Sequence, residues 1–151
     1  MSRHNISHET IINAPIVNVW KALIAIDDWE WNDWTKLEAE KPSQGVKGTL
    51  LASYEGNGQW ERFAFEFGPV SEKEHLLTWL GSVGPNGCLF SGHHTMQLEA
   101  IDDNHTKLLH QERFGGLLPF LGLGLPYKTL DRNYLLMNES LKNHVENEQG
   151  K

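Results

Sequence analysis

The chain has 151 residues, a charged fraction of 22%, a hydrophobic fraction of 39% and a formal net charge of −7, the profile of one globular domain with room for a real core. An acidic balance without a basic patch argues against a nucleic-acid binder and against attraction to an anionic membrane. The one cysteine, Cys88, excludes an internal disulfide and suits a reducing compartment; with no signal-peptide run in the polar start and no stretch near the ~20 apolar residues of a membrane span, the expected location is the cytoplasm.

Ile6 to Asn13 alternates as a first strand, with Ile6, His8, Thr10 and Ile12 on one face. Asn13-Ala14-Pro15 ends it, and proline suits the first turn of a helix. Ile16, Val19, Trp20, Leu23 and Ile26 recur at helical spacing and predict a helix from Pro15 to about Ala25. Asp27 and Asp28 read as caps of a second short helix, Trp29 to about Trp34.

From Leu37 onward the pattern is all strand. Lys36 to Glu40 is a weak strand and Gly48 to Glu55 a stronger one, closed by the hairpin signal Gly56-Asn57-Gly58. Trp60 to Phe67 alternates, putting Phe63, Phe65 and Phe67 on one face. Glu74 to Leu80, Phe90 to Ile101 and Thr106 to Phe114 follow, separated by turns near Ser71, Gly84-Pro85-Asn86-Gly87 and Asp102-Asp103-Asn104. Tight turns between strands about ten residues apart imply an antiparallel meander. A glycine-broken apolar loop, Gly115 to Gly124, then leads to a helix whose apolar positions are Leu130, Tyr134, Met137, Leu141 and Val145, one stripe on a 3.6-residue period. This helix, about 30 Å long if it has ~20 residues, is the one element long enough to cover a sheet face.

The order of strand, two helices, further strands and one long helix resembles the START/SRPBCC superfamily. So do Asn13-Ala14-Pro15 before Val19-Trp20, Trp29-Glu30-Trp31-Asn32-Asp33-Trp34, and Glu112-Arg113-Phe114-Gly115-Gly116-Leu117-Leu118. This is the Bet v 1-like helix-grip fold of the major birch pollen allergen and of bacterial polyketide cyclase/dehydrase-like proteins. The resemblance runs from Ser7 to Val145. It implies one α+β domain over residues 1–151, with its core at residues 6–146. In it, a curved antiparallel sheet of about six to seven strands wraps the C-terminal helix and leaves a cavity. It further implies an apolar partner molecule, lipid-like, aromatic or polyketide-like; members include carriers, enzymes and partners of chaperones.

The informative face is on the last two strands. If Leu108 and Phe114 face the helix, period two brings His110 and Glu112 inward, and Met96, Leu98 and Ala100 bring His94 inward beside them. A buried carboxylate or imidazole is costly unless paired. Two readings stay open for His110 and Glu112. They act on a ligand as a general acid–base pair, or they form a satisfied hydrogen bond that fixes the sheet rim. His94, Met96, Tyr54, Phe63, Phe65, Phe67, Trp79, Trp20, Tyr134 and Met137 are the candidate lining, against the alternative of a filled core. No metal or other cofactor is expected. His93 and His94 point to opposite faces, and the glycines do not follow a dinucleotide-binding pattern in a βαβ unit.

The expected function is therefore small-molecule binding. A cyclase or dehydratase using His110 or Glu112 as acid or base is the enzyme alternative, and an interaction module using the outer sheet face is the third. Trp29, Trp31 and Trp34 either shape a pocket entrance or form a homodimer contact.

Overall fold

In the computed structural model, which describes residues 5–123 and 125–149, the alternating segments become seven strands of one antiparallel sheet. They are β1 (Ile6–Ile12), β2 (Thr35–Glu38), β3 (Lys47–Ala52), β4 (Glu61–Ser71), β5 (Leu76–Val83), β6 (Phe90–Asp102) and β7 (His105–Gly115). Their order in space is β1-β7-β6-β5-β4-β3-β2. Strands β2 to β7 are a meander, and β1 closes the far edge by pairing with β7. Helix α1 (Ile16–Ile24) and a 3-10 turn at Ile26–Asp28 fill the crossover from β1 to β2. A four-residue helix, α2 (Leu117–Phe120), precedes the long α3 (Tyr127–Gln149). The result is the expected α+β helix-grip architecture: a curled sheet with one helix laid across its concave face.

The stripe on α3 is what holds it there. Leu130, Tyr134, Met137, Leu141 and Val145 are all buried. Each such burial is worth about 1.5–3 kcal/mol. The surface pair Lys142–Glu146 one turn apart adds only about 0.3–0.5 kcal/mol. The helix packs chiefly on β1, with α1 beside it.

Three local expectations need correction. Residues 29–34 are not a second helix; the helical turn lies earlier and includes Asp27 and Asp28. Trp29 is drawn into the core, where its Nε1 donates to the Leu23 carbonyl at 3.0 Å. Asn32 is tied to the Thr35 carbonyl. Burial of Trp29, Asn32 and Trp34 together breaks a helical period. Strand β3 stops at Ala52, so Gly56-Asn57-Gly58 does not close a tight hairpin. The connection runs from Ser53 to Trp60, pinned by the Ser53 amide on the Trp34 carbonyl at 2.7 Å. Strand β5 begins at Leu76 rather than Glu74, because Glu72–His75 form the turn and His75 takes a positive φ of 52°.

The glycine-broken segment after β7 is partly ordered by backbone pairing. Leu117 N–H donates to the Cys88 carbonyl and Leu118 N–H to the Leu89 carbonyl. Gly116 permits both: its φ is +97°, and a Cβ there would stand 2.8 Å from the Leu89 backbone. Gly124 of that segment lies outside the described residues.

Candidate functional site

Antiparallel register sets the site. Across β6 and β7, His94 stands opposite Glu112 and Met96 opposite His110. Alternation from the apolar Leu98, Leu108 and Phe114 turns His94, His110 and Glu112 to the concave face, where all three are buried. They join side chains from β1 and α3 in one hydrogen-bonded chain. Thr10 Oγ1 accepts from Asn138 Nδ2 at 3.1 Å. Asn138 Oδ1 meets His110 Nδ1 at 2.7 Å. His110 Nε2 meets His94 Nε2 at 2.5 Å, and His94 Nδ1 meets Glu112 Oε2 at 3.1 Å.

With the Asn138 amide oxygen on His110 and its nitrogen on Thr10, one consistent set of protons runs along this chain. An amide oxygen can only accept, so His110 Nδ1 carries hydrogen. Neutral His110 then offers a bare Nε2, and His94 must donate to it through its own Nε2–H. That leaves His94 Nδ1 bare, so the proton shared with Glu112 belongs to the carboxyl. Electrostatics agree. Burial pushes His94 down to about 3 and Glu112 up to about 8. Burial first, then the neighbouring His94, holds His110 well below the usual histidine range. At neutral pH the His94–Glu112 contact is a neutral hydrogen bond and not an ion pair, in keeping with the cost of two charges in a dry interior.

Aromatic rings hold the imidazoles in place. Trp79 stacks on His94 with centroids 4.0 Å apart and planes 10° from parallel. Tyr134 stacks on His110 at 4.8 Å, and Trp34 stacks on Tyr134 at 5.4 Å. Between these rings, β3–β5 and the start of α3 lies a mostly apolar pocket of about 130 Å³, with the Glu112 carboxyl in its wall. Burial, then Glu61 and Glu112, pushes the phenol of Tyr54 up, so it stands there uncharged.

Of the candidate lining residues, His94, Tyr54, Phe63, Trp79 and Tyr134 are in the pocket wall, as is the acid–base candidate Glu112. The others are elsewhere. His110 lies behind His94, covered by the Tyr134 ring. Met96 and Met137 are sealed in the core at 0% exposure. Phe65 and Phe67 pack edge-to-face on each other at 5.0 Å. Trp20 sits on α1, its ring edge-on to His75 at the β4–β5 turn. Helix α1 packs on β6 and β7, and α3 on β1 and β7. Trp29 and Trp34 are buried and Trp31 is half-buried; only Trp34 reaches the pocket.

Sequence reasoning missed Asn138, Leu118, Leu125 and Gly92, and left Trp34, which is in the pocket wall, between a pocket entrance and a dimer contact. Asn138 had a signal, since a polar residue four positions after Tyr134 falls beside the buried stripe. Gly92 had none. A Cβ there would lie 2.5 Å from Glu112 Oε1, so glycine leaves the space the carboxyl occupies. Gly92→Ala is expected to cost about 1–3 kcal/mol, as overpacking does, and to displace Glu112 from His94. Chemical denaturation and the His94 ring resonances in an NMR spectrum check both effects.

No protein-family model matches the chain, and no curated protein sequence does. Solved structures do. The ZhuI aromatase/cyclase from Streptomyces sp. R1128 aligns with a TM-score of 0.74 at 14% identity, over 94% of this chain and 93% of that one. Ara h 8.0201 aligns with a TM-score of 0.66 at 15% identity, over 95% and 98%. Truncated norcoclaurine synthase from Thalictrum flavum aligns with a TM-score of 0.70 at 13% identity, over 93% and 92%. At such identities the likeness speaks for the fold. The chain has the Bet v 1-like helix-grip fold that these structures share. No helix among the described residues is long and apolar enough to cross a membrane.

Proposed function

We propose that this protein binds a compact apolar or aromatic molecule in the pocket between the curled sheet and α3. The observation that carries the reading is an aromatic-walled space with a single buried carboxyl in its wall, the pattern of a site that holds a ligand by shape and orients it by one polar contact. Its volume of about 130 Å³ is below the roughly 300–1,000 Å³ of drug-sized pockets. It is close to the ~150 Å³ apolar cavity that accepts benzene. A single ring therefore fits better than a lipid chain or a polyketide.

Leu118 and Leu125 belong to the wall, and the same segment exposes Leu117, Phe120, Leu121 and Leu123.

Filling the space tests the reading. Gly81 is in the wall, and a Cβ on it meets nothing nearer than the Ala64 carbonyl at 3.9 Å. Gly81→Leu is expected to keep the fold and abolish saturable binding of toluene in a protein-observed NMR titration. Unchanged toluene binding in a folded Gly81→Leu protein would remove the pocket as the site. Native mass spectrometry of the freshly purified wild type would then name any retained ligand by mass.

An enzymatic second reading has one specific observation in its favour. A carboxylic acid kept protonated near neutral pH, backed by an imidazole, is the equipment of acid–base catalysis. In that reading Glu112 gives its proton to the substrate and regains one afterwards, while His94 positions the carboxyl and His110 acts only through His94. Turnover whose pH profile moves in Glu112→Gln distinguishes an enzyme from a carrier.

A further inference from the structure

We propose a second binding site, on the outside of the sheet, that takes a small organic carboxylate with a flat apolar body. It is a groove of about 520 Å³ where β7 runs into α2, bounded also by β6 and by Asn5 ahead of β1. That volume is within the roughly 300–1,000 Å³ of small-molecule sites. The groove shares no lining residue with the inner pocket, so it stands or falls apart from the reading above.

Strand alternation builds its polar side. His94 and Glu112 point toward α3, so their neighbours His93 and Arg113, opposite each other in the β6–β7 register, are on the convex face. Ser91 is two positions before His93 and shares that face. Its Oγ lies over Gly115, where a Cβ would come within 2.8 Å of it. Asn5 is one position ahead of Ile6, the partner of Glu112, and so continues the Arg113 row onto a third strand. Its Oδ1 accepts from the Phe114 N–H at 3.3 Å, and what its amide still offers is N–H.

Every polar side chain in the wall can therefore donate: the Arg113 guanidinium, the His93 imidazole, the Ser91 hydroxyl and the Asn5 amide. None is a carboxylate. Arg113 forms no ion pair among the described residues. The charge here runs against that of the whole chain, which is −7. Residues 75–98 and 113–130, which supply all of the wall but Asn5, contain no Asp or Glu. An entering anion meets a field of one sign. The guanidinium presents two parallel N–H groups to the two oxygens of a carboxylate, and its one fixed positive charge matches one negative charge. Pro119 and Phe120 of α2 supply the apolar side. Phe120 is 58% exposed, so a flat body laid on its ring covers apolar surface that otherwise meets water.

Naphthoate and its neutral amide, naphthamide, have the same shape and differ in charge. Titration of both, at low salt and followed by protein-observed NMR, makes the test. Naphthoate is expected to bind saturably and to move the amide resonances of Ser91, His93, Gly115 and Gly116. It should bind at least about tenfold more tightly than naphthamide, the value of one charge-assisted hydrogen bond. Arg113→Gln, an exposed change that should leave the urea midpoint in place, is expected to bring the two ligands level. Arg113→Lys keeps the charge, loses the fork and should fall between. Phe120→Ala should weaken both ligands alike and leave their ratio as it was. Gly81→Leu, which fills the inner pocket, should bind naphthoate as the wild type does. Absence of saturable naphthoate binding, equal affinities in the wild type, or a ratio unmoved in folded Arg113→Gln would overturn the site. So would shifts centred on Trp79 and His94 that vanish in Gly81→Leu. None of these outcomes bears on toluene in the inner pocket.

Discussion

Unfolding free energy, measured by urea titration at a series of pH values, is expected to peak near pH 6.5 and to fall by roughly 1.4 kcal/mol per pH unit from there toward pH 8. Glu112 causes the alkaline fall. Its carboxyl titrates at about 8 in the folded chain against a usual value of 4.5. Between these values the folded chain holds a proton that the unfolded chain has released, so a rise in pH favours unfolding. Above pH 8 the two states are alike at this group and the loss is complete. His94 and His110 cause the acid fall. Both titrate below their ordinary 6.5, and His94 only at about 3. Below pH 6.5 the unfolded chain takes up protons that the folded chain refuses, and acid favours unfolding. Between pH 4.5 and 6.5 Glu112 opposes the histidines, but two groups outweigh one. Glu112→Gln keeps the hydrogen bond to His94 and cannot titrate, so its stability should be level from pH 6.5 to 8. An alkaline limb of wild-type slope in Glu112→Gln would show that another group is responsible.

Trp79→Ala is expected to be the most damaging single truncation in the site, at about 3–5 kcal/mol. For a chain of this length each kcal/mol moves the melting temperature by roughly 2–4 °C, so a fall of about 10 °C or more is the result to look for in a thermal scan. Trp79 is 3% exposed, lies flat on His94 and tilts against Trp29 at 6.2 Å. Its loss opens a void and also removes the surface that keeps the His94 ring in line with Glu112 and His110. Trp79→Phe retains a flat face and should recover much of the loss. Trp60→Ala is the control: that indole is exposed and stands over the Lys36 ammonium at 5.7 Å, and its removal should stay within about 0.5 kcal/mol. Equal losses for Trp79→Ala and Trp60→Ala would contradict the packing described here.

Much of the site was legible before any coordinates. Period two on β7 put His110 and Glu112 on the same face as Leu108 and Phe114, and period two on β6 brought His94 beside them. A strand has only two faces, so naming one buried residue names its alternate neighbours. The α3 stripe was legible for the same kind of reason at period 3.6. The pocket itself was less so. Sharing a face does not say which residue is at the surface of a cavity and which is beneath a helix. Met96 and His94 are two residues apart on one face, yet one is core and the other is wall. That outcome depends on where α1 and α3 rest on the sheet, which is a property of their packing and not of either strand.

The chain's own order of residues determined the elements, their faces and the antiparallel succession of strands, because each follows from interactions within a few positions or across a short turn. The errors fell at residues 29–34, at residues 53–60 and at His75, where burial of a distant side chain, a backbone bond to a distant strand or one positive φ overrode the local pattern. Only the tertiary structure decided the protonation of the site. Thr10, His94, His110, Glu112 and Asn138 come from four elements and up to 128 positions apart. No local rule links them. Their hydrogen bonds have a direction because Asn138 Oδ1 can only accept. Burial of that assembly raises the Glu112 carboxyl to about 8, so it keeps its proton at neutral pH.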